Sequence, residues 1–253
     1  GDGEEAVRAA AAKVLGQLAE RGDARALAPA RARLAHAEAG VRQAAVKALG
    51  LLGRRGDGEL LGELVALLED SAWAVRQAVV QSLGPLAERG SRELCSEVSW
   101  RLDHANEGVR QAAVEALAQV AAQGDLGAVE ALSARLEDAQ FGVRGAAVKA
   151  LGQVARRGDE RAVAAVSARL QHPKEDVRKA ASQALAAVGG RSTLSTIAAA
   201  SGLGSAHTQP SGGPGPSLGA APKLGGALRA PAPALGQVPV GRGVPGSLVW
   251  RGR

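Results

Sequence analysis

The chain has 253 residues, of which 46% are apolar and only 2% aromatic, and Met and Tyr are absent. A conventional globular core draws much of its buried area from aromatic side chains, so a core of Ala, Leu and Val favours closely packed helices instead. The formal net charge is +6, and the sequence has no run of 18 apolar residues that could span a membrane.

The first recognisable element is the segment VRAAAAKVLG, which begins at residue 7 and recurs with small changes at residues 41, 75, 109, 143 and 177. The six copies are 34 residues apart, with no insertion or deletion. In the second copy the apolar residues Val41, Ala45, Leu49 and Leu52 fall at helical spacing. Each copy therefore predicts a helix, called helix B here, and the array predicts a repeat protein. The Gly that recurs within it at 16, 50, 84 and 152 predicts close packing between helices.

A glycine turn follows helix B, with the sequence RGD at residues 21, 55 and 157, RGS at 89 and QGD at 123. Gly can adopt the left-handed conformation that ends a helix, and the Asp or Ser after it can cap the next helix through its side-chain oxygen. RGD can also be an integrin-binding tripeptide. Its recurrence at one turn position, with Ser or Gln substituted in other copies, favours the structural role.

Helix A comes next, and it is predicted at residues 24–35, 58–69, 92–103, 126–137 and 160–171. We expect Pro29 to bend the first helix A, because proline removes a backbone donor. Cys95 occupies a helix-A position that is Leu or Val in the other copies, which predicts a small buried side chain. As the single cysteine, it excludes an intramolecular disulfide and fits a reducing compartment.

One hairpin of helices A and B cannot bury its apolar stripe alone, so neighbouring hairpins must stack. The predicted fold is all-α: an α-solenoid over residues 1–200 that winds as a right-handed superhelix. Residues 193–200 predict a degenerate closing helix. From residue 201 Pro, Gly, Ser and Ala replace the periodic pattern, which predicts a disordered tail over 201–253. Residues 191–253 hold six basic residues and no acidic one, so the excess charge belongs to this C-terminal stretch and not to the repeats.

The pattern V-R-x-A-A-x-x-A-L-G, followed by a G-D turn and a helix that ends R-L-x-D or R-L-x-H, resembles HEAT-like repeats of the phycobilisome-lyase class. The resemblance covers residues 1–200. It implies a ladder of hydrogen bonds between the helix-B Arg and an Asp six residues before it. The Arg is present in all six copies, as Arg8, Arg42, Arg76, Arg110, Arg144 and Arg178. The partner position holds Asp70, Asp138, His36, His104 and His172, and we expect a neutral His to accept the bond in weaker form.

Two groups of enzymes share this repeat class and raise alternative functions. Deoxyhypusine hydroxylases build a di-iron site from repeated His-Glu pairs. The four histidines of this chain are followed by Ala, Ala, Pro and Thr, and the three within the repeats lie too far apart to share a metal. For the second group, the bilin lyases, no residue here supports or excludes the chemistry. Since CxxC pairs, phosphate-binding Gly loops and nucleophile elbows are also absent, we predict a protein that is not an enzyme and has no cofactor or metal.

Residues that vary between copies along one face of helix B are the candidate partner-binding residues. Two residues before the helix-B Val stand Trp73 and Phe141, which either anchor a partner or cover a local gap. The candidates further along the same face are Gln43, Gln77, Gln111, Lys47, Lys149 and Lys179. We expect Trp100, which lies on helix A where other copies have Ala, to pack locally.

These observations predict a scaffold for protein–protein interaction that binds a protein partner on its helix-B face. The alternatives are an accessory or lyase-like member of the repeat class, with a hydroxylase disfavoured, and weak binding of nucleic acid or an acidic partner through the tail. We expect a cytoplasmic monomer without membrane contact. The chain begins at Gly1 and has no Met, so we also expect a fragment or a processed product.

Overall fold

The computed structural model describes residue 10 and residues 20–189. By its internal contacts the chain divides into Gly1–His207 and Thr208–Arg253, and the second unit lies wholly outside the described residues. The predicted first helix B with Arg8, the closing helix at 193–200 and the tail at 201–253 lie outside them as well. The boundary after residue 200 therefore stays a prediction.

Between residues 20 and 189, ten α-helices alternate in the predicted order. The helices A are α1 (Ala24–Arg31), α3 (Gly58–Ala66), α5 (Arg92–Ser99), α7 (Leu126–Ala134) and α9 (Glu160–Ser167). The helices B are α2 (Ala39–Leu52), α4 (Trp73–Leu86), α6 (Glu107–Val120), α8 (Phe141–Val154) and α10 (Glu175–Val188). Each pair of a helix A and the helix B after it forms one repeat, numbered 1 to 5 here. None of the described helices is long and apolar enough to cross a membrane.

Each helix A is shorter as an α-helix than the sequence predicts, because its last turn has a different form. In repeats 2 to 5 the final residues are 3₁₀-helical, over Leu67–Glu69, Trp100–Asp103, Arg135–Glu137 and Ala168–Gln171. A 3₁₀ turn provides partners for carbonyl groups that an α-helical end leaves unpaired. In repeat 1 the helix continues through Pro29 and ends at Arg31, and a hydrogen-bonded turn follows.

The glycine turn between helices B and A has the predicted geometry in every described copy. The φ angles of Gly22, Gly56, Gly90, Gly124 and Gly158 lie between 78° and 88°. The next residue caps helix A by accepting a backbone N–H with its side chain, and these residues are Asp23, Asp57, Ser91, Asp125 and Asp159. The left-handed glycine and the helix-A cap are confirmed, but the glycine does not end helix B. That helix ends three residues earlier, at an extended C-cap residue such as Gly53 or Ala87. The glycine N–H also donates to the last carbonyl of the following helix B, as in Gly56 to Leu86 at 2.8 Å. This bond ties the ends of consecutive helices B together.

The core follows the predicted stripe of helix B. The recurrent leucines of this helix are fully buried in all five described copies: Leu49, Leu83, Leu117, Leu151 and Leu185. Each contributes roughly 1.5–3 kcal/mol by burial. A Cβ added to Gly50 would lie 2.5 Å from Ser82 Oγ of the next helix B, and one added to Gly152 would lie 3.2 Å from Ala187 Cβ. The close packing predicted from these glycines is confirmed, and so is the α-solenoid of stacked hairpins.

Candidate partner-binding surface

Trp73 and Phe141 are the first residues of α4 and α8, and both side chains are exposed. The indole of Trp73 is 64% exposed and the phenyl ring of Phe141 is 81% exposed. A side chain that covered a local gap would be buried against it, so this exposure argues against that interpretation. Large apolar side chains in solvent are candidate anchors for a partner.

The polar candidates on the helix-B face differ in how far they are already engaged. Gln77 and Gln111 are half-buried, and both donate to one carboxylate, Glu115, at 2.7 and 3.0 Å. Lys179 is exposed and pairs with Glu175 at 2.7 Å, and this hydrogen bond lowers the pKa of Glu175. The other candidates are two half-buried residues, Gln43 and Lys47, and the exposed Lys149.

Sequence reasoning missed one exposed apolar residue on this face. Leu51 of α2 is 43% exposed. It lies four residues after Lys47, which is one helical turn further along the stripe of candidates. The signal that could have found it was therefore the same spacing of four, extended by one step.

The first residue of helix B alternates along the array. It is aromatic in repeats 2 and 4, where Asp70 and Asp138 stand three residues earlier. In repeats 3 and 5 it is Glu107 or Glu175, and a His stands in place of the Asp. The exposed aromatics therefore recur every second repeat, at equivalent points of the fold.

The predicted ladder is formed wherever the partner position holds Asp. Arg42 Nε and Nη2 donate to the two oxygens of Asp70 in the next repeat, at 2.7 and 2.8 Å. Arg110 and Asp138 form the same bidentate pair, at 2.7 and 3.0 Å. Because the Arg42 guanidinium donates to it, the pKa of Asp70 lies below its ordinary value. Burial raises the pKa of Asp138, but hydrogen bonds from Arg110 and the Gln140 amide outweigh it and the net shift is downward.

Where the partner position holds His104 or His172, the prediction that it accepts from Arg is wrong, and Arg8, the predicted partner of His36, lies outside the described residues. His104 Nδ1 accepts the backbone N–H of Asn106 at 3.0 Å, and His36 and His172 make the equivalent bond. A neutral imidazole has one acceptor nitrogen, and the backbone N–H of the turn occupies it. Asp70 has two carboxylate oxygens, so it accepts from the turn and from Arg42 together. Among residues 20–189, no group of three or more His, Cys, Asp or Glu is placed to hold a metal ion.

The arginines opposite these histidines have different surroundings. Arg76 is 7% exposed and its Nε has no hydrogen-bond partner, although Nη1 donates to the carbonyls of Asp70 and Ser71. Arg144 instead donates to Asp176 at 3.1 Å. The last described arginine of the series, Arg178, donates to the carbonyls of His172 and Pro173.

A second series of ion pairs, which sequence reasoning missed, joins the ends of consecutive helices A. Arg101, Arg135 and Arg169 each pair with an acidic residue of the preceding repeat at 2.7–3.0 Å. Their partners are Glu69, Asp103 and Glu137. The available signal was an Arg directly before the recurrent helix-A Leu, combined with an acid directly after the equivalent Leu of the preceding repeat.

Two predictions for helix A need correction. Trp100 does not pack locally, since its side chain is 80% exposed. The equivalent residues Ala32, Ala66 and Ala168 are exposed too. Ala at this position therefore indicates a solvent-exposed site and not a tight packing contact. Cys95 is half-buried rather than fully buried, and burial raises the pKa of its thiol.

Comparison with known proteins places these repeats in a family. A family model for HEAT repeats matches residues 34–117, 61–152 and 129–203, which together span more than half of the chain. No curated protein matches the chain by sequence.

Solved structures of helical-repeat proteins are also similar to the chain. A designed armadillo repeat protein in complex with the peptide (KR)4 is 26% identical, with 71% of this chain and 92% of that chain covered and a TM-score of 0.42. The complex of CpcE and CpcF of phycocyanin lyase from Nostoc sp. PCC7120 is 24% identical, with 67% of each chain covered and a TM-score of 0.44. The matched repeats and the stacked hairpins give one conclusion: the chain belongs to the HEAT-repeat family.

Proposed function

We propose that the chain is a protein-interaction scaffold that binds a protein partner on its helix-B face. HEAT-repeat arrays present long surfaces that are typical of protein-binding scaffolds. The proposal goes further in assigning the partner to the face formed by the helices B. The single observation that carries this choice is the exposure of Trp73 and Phe141 at equivalent positions of alternate repeats.

The packing of the core supports the choice. The recurrent leucines of helix B are fully buried, so stacking of the repeats already covers the apolar stripe. Two exposed rings at one register of such an array have no role in that core. Exposed Leu51 adds a third apolar side chain to the same face. Aromatic anchors of this kind often supply much of the binding free energy of an interface.

The polar part of the face supports the same proposal. Its central side chains are mostly uncharged or internally paired, as with Gln77, Gln111 and Glu115. A partner that covers them does not have to desolvate an isolated charge, which would oppose binding. Exposed Lys149 lies at the same helix-B register as Glu115, one repeat further on. We place its charge on the rim of the interface, where charges influence specificity more than affinity.

The test uses the intact chain with Trp73→Ala and Phe141→Ala, in a quantitative pull-down from the native cell extract. Each substitution should weaken capture of the same partner by about 1–2 kcal/mol, which is roughly 5–30-fold. Trp100→Ala is the matched control, because it removes an even more exposed indole from the helix-A side. Helicity should be unchanged in all three variants.

The Trp100→Ala control distinguishes binding on the helix-B face from binding on the helix-A side. A partner whose capture depends on Trp100 and not on Trp73 or Phe141 would contradict the proposal and transfer the interface to the helices A. Capture that is unaffected by all three substitutions, or that disappears when residues 201–253 are deleted, would assign binding to another part of the chain.

A further inference from the structure

A groove lies between the helices A of repeats 2 and 3, on the opposite side of the repeats from the proposed partner surface. It has a volume of about 140 Å³. Its floor contains Leu61 of α3 and Leu94 of α5, both buried. Three exposed carboxylates line it, those of Glu88, Glu93 and Glu97. The groove therefore combines an apolar floor with an anionic rim.

The preceding pair of repeats shows what this arrangement of carboxylates holds. Glu59 and Glu63 of α3 are one helical turn apart, and both pair with Arg31 of α1. Arg31 Nη1 lies 3.2 Å from Glu59 Oε2, and Arg31 Nε lies 3.3 Å from Glu63 Oε2. One guanidinium from the neighbouring helix A thus bridges two carboxylates four residues apart.

Glu93 and Glu97 occupy the same two positions one repeat later. The residue equivalent to Arg31 is now Val65, which is fully buried in the core. Among the described residues, no Lys or Arg forms an ion pair with Glu93 or Glu97. The Glu93 backbone amide and the Ser91 hydroxyl lower the pKa of the Glu93 carboxyl, so it is ionised at neutral pH. Residues 20–189 therefore repeat the guanidinium-binding carboxylates here, but none of their arginines fills the position that Arg31 takes one repeat earlier.

The wall of the groove on α3 consists of glycine. A Cβ added to Gly58 or Gly62 would meet nothing within 4 Å, so the fold does not require glycine at either position. Glycine inside a helix costs about 1 kcal/mol relative to alanine. Without side chains at Gly58 and Gly62, the space beside Leu61 stays open, and it is wide enough to consider the aliphatic stem of a long side chain. Arginine has such a stem below its charged head.

We propose that this groove binds an arginine side chain presented by a polypeptide partner. The guanidinium bridges Glu93 and Glu97 as Arg31 bridges Glu59 and Glu63, and the stem lies on Leu61 and Leu94 between the glycines and α5. A guanidinium is favoured over an ammonium because its fork can meet two carboxylates at once. This site is independent of the proposed helix-B interface.

The test is an NMR titration of the full chain with the capped peptide Ala-Ala-Arg-Ala-Ala, followed through the backbone amides of Gly58 and Gly62. These amides should shift and saturate at millimolar peptide, while the amide of Gly145 on the helix-B face stays in place. The same peptide with citrulline, which keeps the shape and removes the charge, should cause no saturating shift. The lysine peptide should bind more weakly than the arginine peptide.

Two variants test the site without removing part of the core. The double substitution Glu93→Gln and Glu97→Gln should weaken binding roughly fivefold or more, since two charge interactions are lost. Gly62→Leu should fill the groove and abolish the shifts while leaving the protein folded. Gly145→Leu is its control, because a Cβ there also meets nothing within 4 Å, and it should leave peptide binding unchanged.

A third variant makes the comparison between repeats direct. Arg31→Ala should expose Glu59 and Glu63 and add a second set of saturating shifts around α1 and α3. Three results would overturn the proposal: no saturation by the arginine peptide, equal binding of the citrulline or lysine peptide, or unchanged affinity in the Gln and Leu variants. None of them bears on the helix-B interface, which the Trp73 and Phe141 variants test separately.

Discussion

The junction between repeats 1 and 2 and the junction between repeats 2 and 3 use the same positions in opposite ways. At the first, Arg42 meets Asp70 in a bidentate pair and Arg31 meets Glu59 and Glu63. At the second, the Nε of buried Arg76 has no partner, since His104 stands where Asp would be.

On the helix-A side of the second junction, Glu93 and Glu97 border a groove instead of an internal arginine. Equivalent charged positions therefore pair with one another at the junction of repeats 1 and 2, which is called the closed junction here. At the junction of repeats 2 and 3, which is called the open junction, they do not. Because neighbouring repeats supply matched positions, the difference in the ladder can be reversed by a single substitution.

The largest effect is expected from removing the ladder at the closed junction. Asp70→Asn leaves the largely buried guanidinium of Arg42 without its charge partner, and the free energy of unfolding should fall by about 3 kcal/mol. Asp176→Asn is the matched control. Asp176 is 70% exposed and makes a single contact to Arg144, so the loss should stay below about 1 kcal/mol. Urea unfolding followed by helical circular dichroism measures both, and equal losses would contradict the account.

The same pair has a pH signature. The pKa of Asp70 is lowered in the folded protein, so its contribution to stability is complete above the unfolded value of 3.8 and is lost as pH falls through the lower folded value. The stability difference between the wild type and Asp70→Asn should therefore be constant near neutral pH and shrink in acid below 3.8. A difference that does not change with pH would show that the carboxylate charge is not what stabilises this junction.

A smaller gain is expected from closing the open junction. His104→Asp gives Arg76 the carboxylate that Arg42 and Arg110 have, and the backbone at 104 already matches that at Asp70 and Asp138. The free energy of unfolding should rise by about 1–2 kcal/mol.

His172→Asp is the control for this gain. The arginine opposite it, Arg144, already pairs with Asp176, so the added carboxylate should stabilise less. If His172→Asp stabilised the protein as much as His104→Asp, the unpaired Nε of Arg76 would not be the reason for the gain.

The smallest effect concerns the groove at the same junction. Gly62→Ala should raise the free energy of unfolding by up to about 1 kcal/mol, because the added Cβ meets no neighbour and alanine favours the helix. Gly90→Ala should do the opposite, since the φ of Gly90 is 88°. Thermal unfolding of the two variants checks the signs, and destabilisation by Gly62→Ala would mean that the glycine serves the fold.

Features set by local chemistry could be predicted from the sequence. The helix order, the left-handed Gly90 turn and the capping role of Asp57 follow from residue types at short spacing, and the 34-residue register repeats that signal five times over. Buried leucines such as Leu83 follow from the same periodicity.

Contacts between repeats were less predictable. The exposure of Trp100 was missed because alanine in the other copies fits both a tight contact and open solvent. Arg76 Nε has no partner because the backbone N–H of Asn106 already donates to His104 Nδ1. The residue types alone do not show which donor takes that nitrogen. The pairing of Arg135 with Asp103 depends on how one layer stacks on the next.

The central claim is that a protein partner lies against the helix-B face. Site-specific photocrosslinking tests it most directly, with a photoreactive residue placed in turn at Trp73, Phe141 and Trp100 of the intact chain in its native extract. The account predicts that positions 73 and 141 crosslink to one and the same protein, that unlabelled chain competes for it, and that position 100 does not reach it. Crosslinks from position 100 alone, or different proteins at 73 and 141, would contradict the claim.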